Sequence, residues 1–184
     1  MNKDNFKKKI KLIKREEKYK GTILTMYEDT VEVDGNICHW DYLDNSSAAA
    51  ILPVMPDGKI LLVRQYRLAV DDYTLEIPAG KLDDKNEDFL VCAKRELEEE
   101  TGYKSDDFEL LLTMCSSVTF WDSRVKIFLA KDLKKGNIHF DRDEETLIET
   151  YDINELKKMV FDGTIYDAKT CAGIMAYLVK INNI

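Results

Sequence analysis

The sequence predicts an α/β protein, an α/β/α sandwich around a mixed β-sheet with a small N-terminal antiparallel β subdomain in front of it. Three observations carry this reading. Ile60, Leu61, Leu62 and Val63 form a continuous apolar run, the pattern of a strand covered on both faces. One well-capped helix follows within residues 86–102, and two further helical patterns close the chain. Before all of these, β-prone runs between residues 22 and 43 are interrupted by an Asp34-Gly35-Asn36 turn. Helices flanking a mixed sheet bury both of its faces, which makes the sandwich the natural architecture.

Taken in order, residues 3–18 are rich in Lys and Glu with Phe6, Ile10 and Ile13 at helical spacing, and predict a short amphipathic helix. Residues 22–25, 30–33 and 37–43 then read as strands of the small subdomain. Asn45-Ser46-Ser47 is the linker-like stretch, so the boundary falls there: 1–46 for the N-terminal helix and β subdomain, 47–184 for the main domain. The main domain opens with strands at 48–54 and 59–66 around a Pro56-Asp57-Gly58 turn. Further strands are expected at 108–114, 124–130 and 146–152. Helices are expected at 153–161, before Gly163, and at 168–181 behind an Asp167 cap.

Composition narrows the function. At 184 residues, folding buries close to ~70% of the unfolded surface, so neither disulfides nor a structural metal is required. Cys38, Cys92, Cys115 and Cys171 are scattered without a CxxC pair, which suits free thiols in a reducing cytoplasm. No apolar run approaches the ~18 residues that cross a bilayer, and no hydrophobic h-region follows the basic N-terminus. The net charge is −8, and the nine Lys and Arg among the first 20 residues make the rest more acidic still. Such a body repels nucleic acid, and neither nucleic acid nor membrane is expected as a partner.

The informative segment runs from Glu76 to Tyr103. Asn86 is a suitable N-cap, Glu87 and Asp88 suit the positive end of the helix dipole, and Gly102 suits the position beyond the C-cap. At about 100° per residue, Phe89, Leu90 and Leu97 fall within ~60° of Ala93 and mark the buried stripe. Glu100, Glu96 and Glu99 begin inside that stripe and wrap along one edge, whereas Glu87, Lys94 and Glu98 point elsewhere. Carboxylates gathered at a half-buried edge repel one another and lose hydration, so they need a cation. Oxygen donors without imidazole or thiolate suit Mg²⁺, or Mn²⁺.

The segment resembles the box of the Nudix hydrolases, Gly-x5-Glu-x7-Arg-Glu-U-x-Glu-Glu-x-Gly-U, through Gly80, Glu87, Arg95, Glu96, Leu97, Glu99, Glu100, Gly102 and Tyr103. One departure is a gap of six residues, not five, between Gly80 and Glu87. Val63-Arg64-Gln65-Tyr66-Arg67, Leu75-Glu76-Ile77-Pro78-Ala79-Gly80 and Asp167-Ala168-Lys169-Thr170 extend the resemblance to the ADP-ribose pyrophosphatase branch. That resemblance implies Mg²⁺ held by Glu96, Glu99, Glu100 and the carbonyl of Ala79, with Arg95 and Glu99 in the catalytic set. It implies a homodimer in which the N-terminal subdomain helps build the neighbour's pocket. It also places the general base on an acidic loop at Glu144, or at Glu145 if the loop shifts, and puts Thr146 where relatives carry a metal-binding carboxylate, a gap that Glu145 or Asp143 would fill.

Arg67 is a candidate for gripping a substrate phosphate, with an ion pair to Asp71 or Asp72 as the ordinary alternative. Glu76 is expected in the substrate pocket, since a buried carboxylate needs a partner. His39 and His139 are isolated, and Trp40 and Trp121 are either core residues or base-stacking ones. No Gly-x-Ser-x-Gly elbow and no Gly-x4-Gly-Lys-Ser/Thr loop is present. The expected activity is hydrolysis of the pyrophosphate bond of ADP-ribose or a related nucleoside diphosphate sugar. Other nucleoside diphosphate derivatives, or a non-catalytic ADP-ribose-binding module, are the alternatives.

Overall fold

The Lys/Glu-rich N-terminal segment is a strand, not a helix, in the computed structural model, which describes residues 10–136 and 146–183. β1 (Ile10–Lys20), β2 (Thr25–Val33) and β3 (Asn36–Asp44) form an antiparallel sheet in chain order. The cause is non-local. Arg15 Nε and Nη2 each donate to the Asp29 carboxylate at 2.6 Å, and the guanidinium sits 3.8 Å from the centre of the Tyr42 ring. These cross-strand contacts outweigh helix propensities that differ by only about half a kcal/mol per residue. Register shifts at Leu12/Lys14 and Glu17/Tyr19 hide the alternation that would have marked the strand. Asp34 and Gly35, at φ of 51° and 85°, make the tight turn from β2 to β3.

This sheet belongs to a unit that holds the described residues up to Ser46 together with Ser117–Ser123. Leu43 N donates to Phe120 O at 2.8 Å, and Ser123 Oγ to Asn45 O at 2.6 Å. Among the described residues of this unit, Val31 is the one apolar side chain that is buried.

The second unit spans Ser47–Ser116 and Arg124 onwards. Its elements are β4 (Ala48–Pro53), β5 (Ile60–Arg67), β6 (Asp72–Glu76), β7 (Ala79–Lys81), α1 (Phe89–Thr101), β8 (Tyr103–Lys104), β9 (Asp107–Met114), β10 (Val125–Lys131), β11 (Lys134–Lys135), β12 (Leu147–Tyr151), α2 (Ile153–Phe161) and α3 (Ala168–Ile181). The central sheet has the order β7-β4-β10-β9, with β4 and β10 parallel and the outer pairs antiparallel. β12-β5-β6 form a separate antiparallel sheet.

Side-chain alternation along β4 and β10 sorts the interior into two cores. Ala49, Ile51, Phe128 and Ala130 pack with Cys92, Ala93 and Leu97 of α1. Ala50, Leu52, Ile127 and Leu129 pack with Ile174 and Leu178 of α3 and with Ile60 and Leu62 of β5. A parallel pair buried on both faces lies between α1 and α3, which is the α/β/α sandwich.

The bounds of α2 and α3 match the expected helices. α1 starts later than Asn86 indicates: Asn86 N donates to Asp84 Oδ1 in a turn, and Asp88 is the N-cap, accepting from Leu90 N at 2.8 Å and Val91 N at 3.4 Å. β7, β8 and β11, of three, two and two residues, are too short to show a period, and β6 is not among the expected strands.

Candidate active site

The site forms where β7 runs against α1. Gly80 pairs with Ala49 of β4, and a Cβ at position 80 would lie 2.0 Å from the Glu96 carboxylate carbon. The strand approaches the helix this closely because position 80 has no side chain. At the far end of α1, Gly102 takes the left-handed conformation and its N–H donates to Glu98 O.

With both ends of α1 fixed, the helical period decides where each glutamate goes. Glu96 and Glu100 are 9% and 6% exposed, on the buried side with Ala93 and Leu97. Glu99 is half-buried at the edge. Glu98 turns outward and pairs with Lys104 at 2.8 Å. Glu100 Oε2 accepts from Ala79 N at 3.1 Å, which ties the helix to the strand that presents the Ala79 carbonyl.

Arg95 holds the acidic edge together. Its Nη1 donates to Glu96 Oε1 at 2.5 Å and Glu99 Oε2 at 3.2 Å, and its Nη2 to Lys81 O at 3.0 Å. Burial opposes its charge, but the Glu96 carboxylate more than restores it, so its pKa stays above the ordinary value. Glu87, expected on the far side of the helix, instead precedes it: its carboxylate accepts from Asp83 N at 2.7 Å and lies 3.5 Å from Arg95 Nη2. The extra residue between Gly80 and Glu87 is absorbed in this turn, where Glu87 N donates to Asp84 O.

The second part of the site is basic. Arg67, at the end of β5, donates from Nε and Nη2 to the two oxygens of Glu76 at 2.8 and 2.9 Å. Its partner is thus Glu76, and Asp71 accepts instead from Tyr66. Lys169 Nζ reaches Glu76 Oε2 at 2.5 Å and Asp167 Oδ2 at 3.0 Å, and Thr74 Oγ1 donates to Glu76 Oε1. Glu76 is 3% exposed. Burial alone would raise its pKa, but Arg67, Lys169 and Thr74 outweigh burial and hold it at about 2. Asp167 also caps α3, and Thr170 Oγ1 accepts from Ile77 N at 2.9 Å. The Asp167-Ala168-Lys169-Thr170 stretch therefore fastens the start of α3 to the Glu76–Ile77 end of β6. Sequence reading singled out the stretch but gave Lys169 no role.

A cavity of about 460 Å³ is lined by Glu96, Glu99 and Glu100 together with Ala79, Arg67 and Lys169. Glu76 sits behind this surface, not on it. Among the described residues no three acidic, His or Cys groups already converge as a metal centre, since Glu96 and Glu99 lean on Arg95 and Glu100 on Ala79 N. The donor chemistry nevertheless fits a hard divalent cation. Three glutamates and Ala79 line one cavity, and the bare Cα of Gly80 lets the Glu96 carboxylate lie against the strand. His39 lies on β3 near Glu28, Trp40 is 46% exposed, and Trp121 belongs to the first unit. Glu144, Glu145, Asp143 and His139 lie outside the described residues.

A NUDIX domain profile matches residues 44–169. The ADP-ribose pyrophosphatase of Bacillus subtilis is 33% identical over 173 residues, covering 92% of this chain and 93% of that protein. The methanol dehydrogenase activator of Bacillus methanolicus is also 33% identical, over 89% and 90% of the two chains. A solved ADP compounds hydrolase shares the fold, with a TM-score of 0.86 over 95% of each chain at 20% identity. The chain belongs to the NUDIX family.

Proposed function

We propose that the protein is a Mg²⁺-dependent hydrolase that cleaves the pyrophosphate bond of ADP-ribose or a related nucleoside diphosphate sugar. One observation carries this: a single cavity gathers an oxygen-only donor set, Glu96, Glu99, Glu100 and the Ala79 carbonyl, with the cation of Arg67. Relatives over nine-tenths of the chain named ADP-ribose pyrophosphatase support the substrate class. Mg²⁺, or Mn²⁺, held by the four oxygen donors supplies charge neutralisation at the phosphates and acidifies water. Arg67 grips a phosphate oxygen, and Arg95 keeps Glu96 and Glu99 aligned. Water attacks one phosphorus, the P–O bond of the bridging oxygen breaks, and nucleoside monophosphate and sugar phosphate leave. Glu144 takes the proton from that water, so Glu144→Gln lowers kcat by about a hundredfold with KM little changed.

The N-terminal sheet serves dimerisation. Ile10, Leu12, Ile13, Tyr19, Ile37 and Trp40 are each about half exposed in a unit that buries little of its own, an apolar surface that a second copy would cover. The free thiols of Cys38, Cys92 and Cys171 fit a cytoplasmic protein, and among the described residues no helix is long and apolar enough to cross a membrane.

The test is a panel of ADP-ribose, ADP-glucose, NADH and nucleoside triphosphates, each with and without Mg²⁺. Metal-dependent release of AMP from ADP-ribose or ADP-glucose supports the reading. Exclusive turnover of triphosphates, or metal-insensitive binding of ADP-ribose without turnover, overturns it. Light scattering that gives a monomer mass at micromolar concentration overturns the dimer.

A further inference from the structure

We propose that Lys169 is a second substrate-phosphate ligand and that Glu76 is the positioning residue that aims Lys169 and Arg67 together into the cavity. This rests on the nucleoside diphosphate sugar reading above. The geometry argues it in three steps.

First, both cations line the cavity while the carboxylate that joins them lies behind it. Glu76 spends both oxygens on Arg67 Nε, Arg67 Nη2 and Lys169 Nζ. A carboxylate so fully engaged has little left to offer a ligand, and it is the wrong sign for a pyrophosphate.

Second, a count of donors shows what the cations have left over. A guanidinium carries five N–H groups, and the fork to Glu76 engages one on Nε and one on Nη2, which leaves three, two of them on Nη1. An ammonium carries three, and those of Lys169 directed at Glu76 and Asp167 leave one. Two positive groups with unspent donors, bridged by one buried anion, suit neighbouring oxygens of one anionic group.

Third, the mounting is stiff. Lys169 is in the first turn of α3, whose start is bonded to β6 by Thr170 Oγ1 and Ile77 N and capped by Asp167. Its side chain is only 17% exposed. Lys169 is shared between Glu76 and Asp167 while Arg67 pairs Glu76 bidentately, so the two cations are balanced by two carboxylates at rest. What they offer an entering anion is their unspent donors on the cavity wall.

The experiment uses the full-length protein and compares wild type with Lys169→Met, which keeps the aliphatic stem and deletes the charge. KM for the turned-over sugar nucleotide and the inhibition constant of ADP should each rise about tenfold or more, the scale of one charge-assisted hydrogen bond. kcat should change far less, inhibition by adenosine should not change, and Lys169→Arg should restore most of the loss. An unchanged KM in a folded Lys169→Met overturns the proposal, and so does an equal loss of adenosine inhibition. Glu76→Gln should likewise raise KM more than it lowers kcat; an effect on thermal stability alone makes Glu76 structural and overturns its positioning role.

The unmutated protein gives a second reading if Lys169→Met fails to fold. ADP should shield Lys169 from a small amine-acylating reagent while leaving Lys157, exposed on α2, as reactive as before. No shielding at saturating ADP overturns the assignment. Wild type that turns over no sugar nucleotide defeats the functional reading itself, an outcome distinct from normal turnover with Lys169 silent.

Discussion

Glu98 and Glu100 are the same residue two positions apart on α1, and they have opposite surroundings. Glu98 faces outward, with 24% of its side chain exposed and Lys104 at 2.8 Å. Glu100 is 6% exposed and accepts from the backbone of β7. A half-buried pair of the first kind, whose Lys104 partner is more than half exposed, contributes at most about 1 kcal/mol. A carboxylate of the second kind is costly to bury, and it is kept here by the Ala79 N–H and by the nearby cation of Arg67. Residue type therefore says little on this helix. Angular position, fixed by the Asp88 cap and Gly102, separates a carboxylate paired with Lys104 from one that lines the cavity.

The sharpest way to break the comparison is Glu100→Gln. It keeps the shape and an acceptor for Ala79 N but removes the anionic oxygen, and turnover should fall at least about a hundredfold with the circular dichroism spectrum unchanged. Gly80→Ala should come next. Its Cβ would need space now held by the Glu96 carboxylate, so activity should drop steeply and stability should fall by about 1–3 kcal/mol, read by urea unfolding.

A third test concerns acid. The folded pKa of Glu76, about 2, is below its ordinary 4.5. The stabilisation it brings is therefore complete above about pH 4.5 and is lost as pH falls toward 2. Unfolding free energy should decline with falling pH across that window, and the decline should be shallower in Glu76→Gln. An identical slope would show that the Arg67 and Lys169 pairing does not stabilise the fold. The smallest effect belongs to Glu98→Gln, for which turnover within about twofold and stability within about 0.5 kcal/mol of wild type are expected. Equal losses at Glu98 and Glu100 would sink the whole distinction.

How much of this was legible in the sequence follows from the range of the interactions. The helices were readable because their signals are local: Asp167 caps α3 three residues before Thr170, and Gly102 closes α1 on Glu98 O. The buried strands were readable because β4, the first half of β5 (Ile60 to Val63) and the Ile127 to Ala130 stretch of β10 are apolar runs. The sides taken by Glu96, Glu98, Glu99 and Glu100 also follow from period alone. The N-terminal strand was not legible, because Arg15 finds Asp29 and Tyr42 only once three strands are side by side. The link from Glu76 to Lys169 was invisible for the same reason. Glu76 signalled only that some partner was required, and nothing in a one-dimensional pattern names a partner 93 residues away.

That separation has a consequence for how the protein is made. Translation delivers the glutamates of α1, then β9 and β10, and α3 after them. The central parallel pair already joins Ala50 to Ile127, and such non-local topology folds slowly. A nascent chain that stops before Ala168 contains Glu76 and Arg67 but neither Lys169 nor Thr170, and it lacks Ile174 and Leu178 to cover one face of the sheet. Burying Glu76 in that fragment without its full set of counter-charges is strongly disfavoured. A product truncated before α3 is thus denied both the cover on one face of the sheet and the counter-charge that Lys169 gives Glu76.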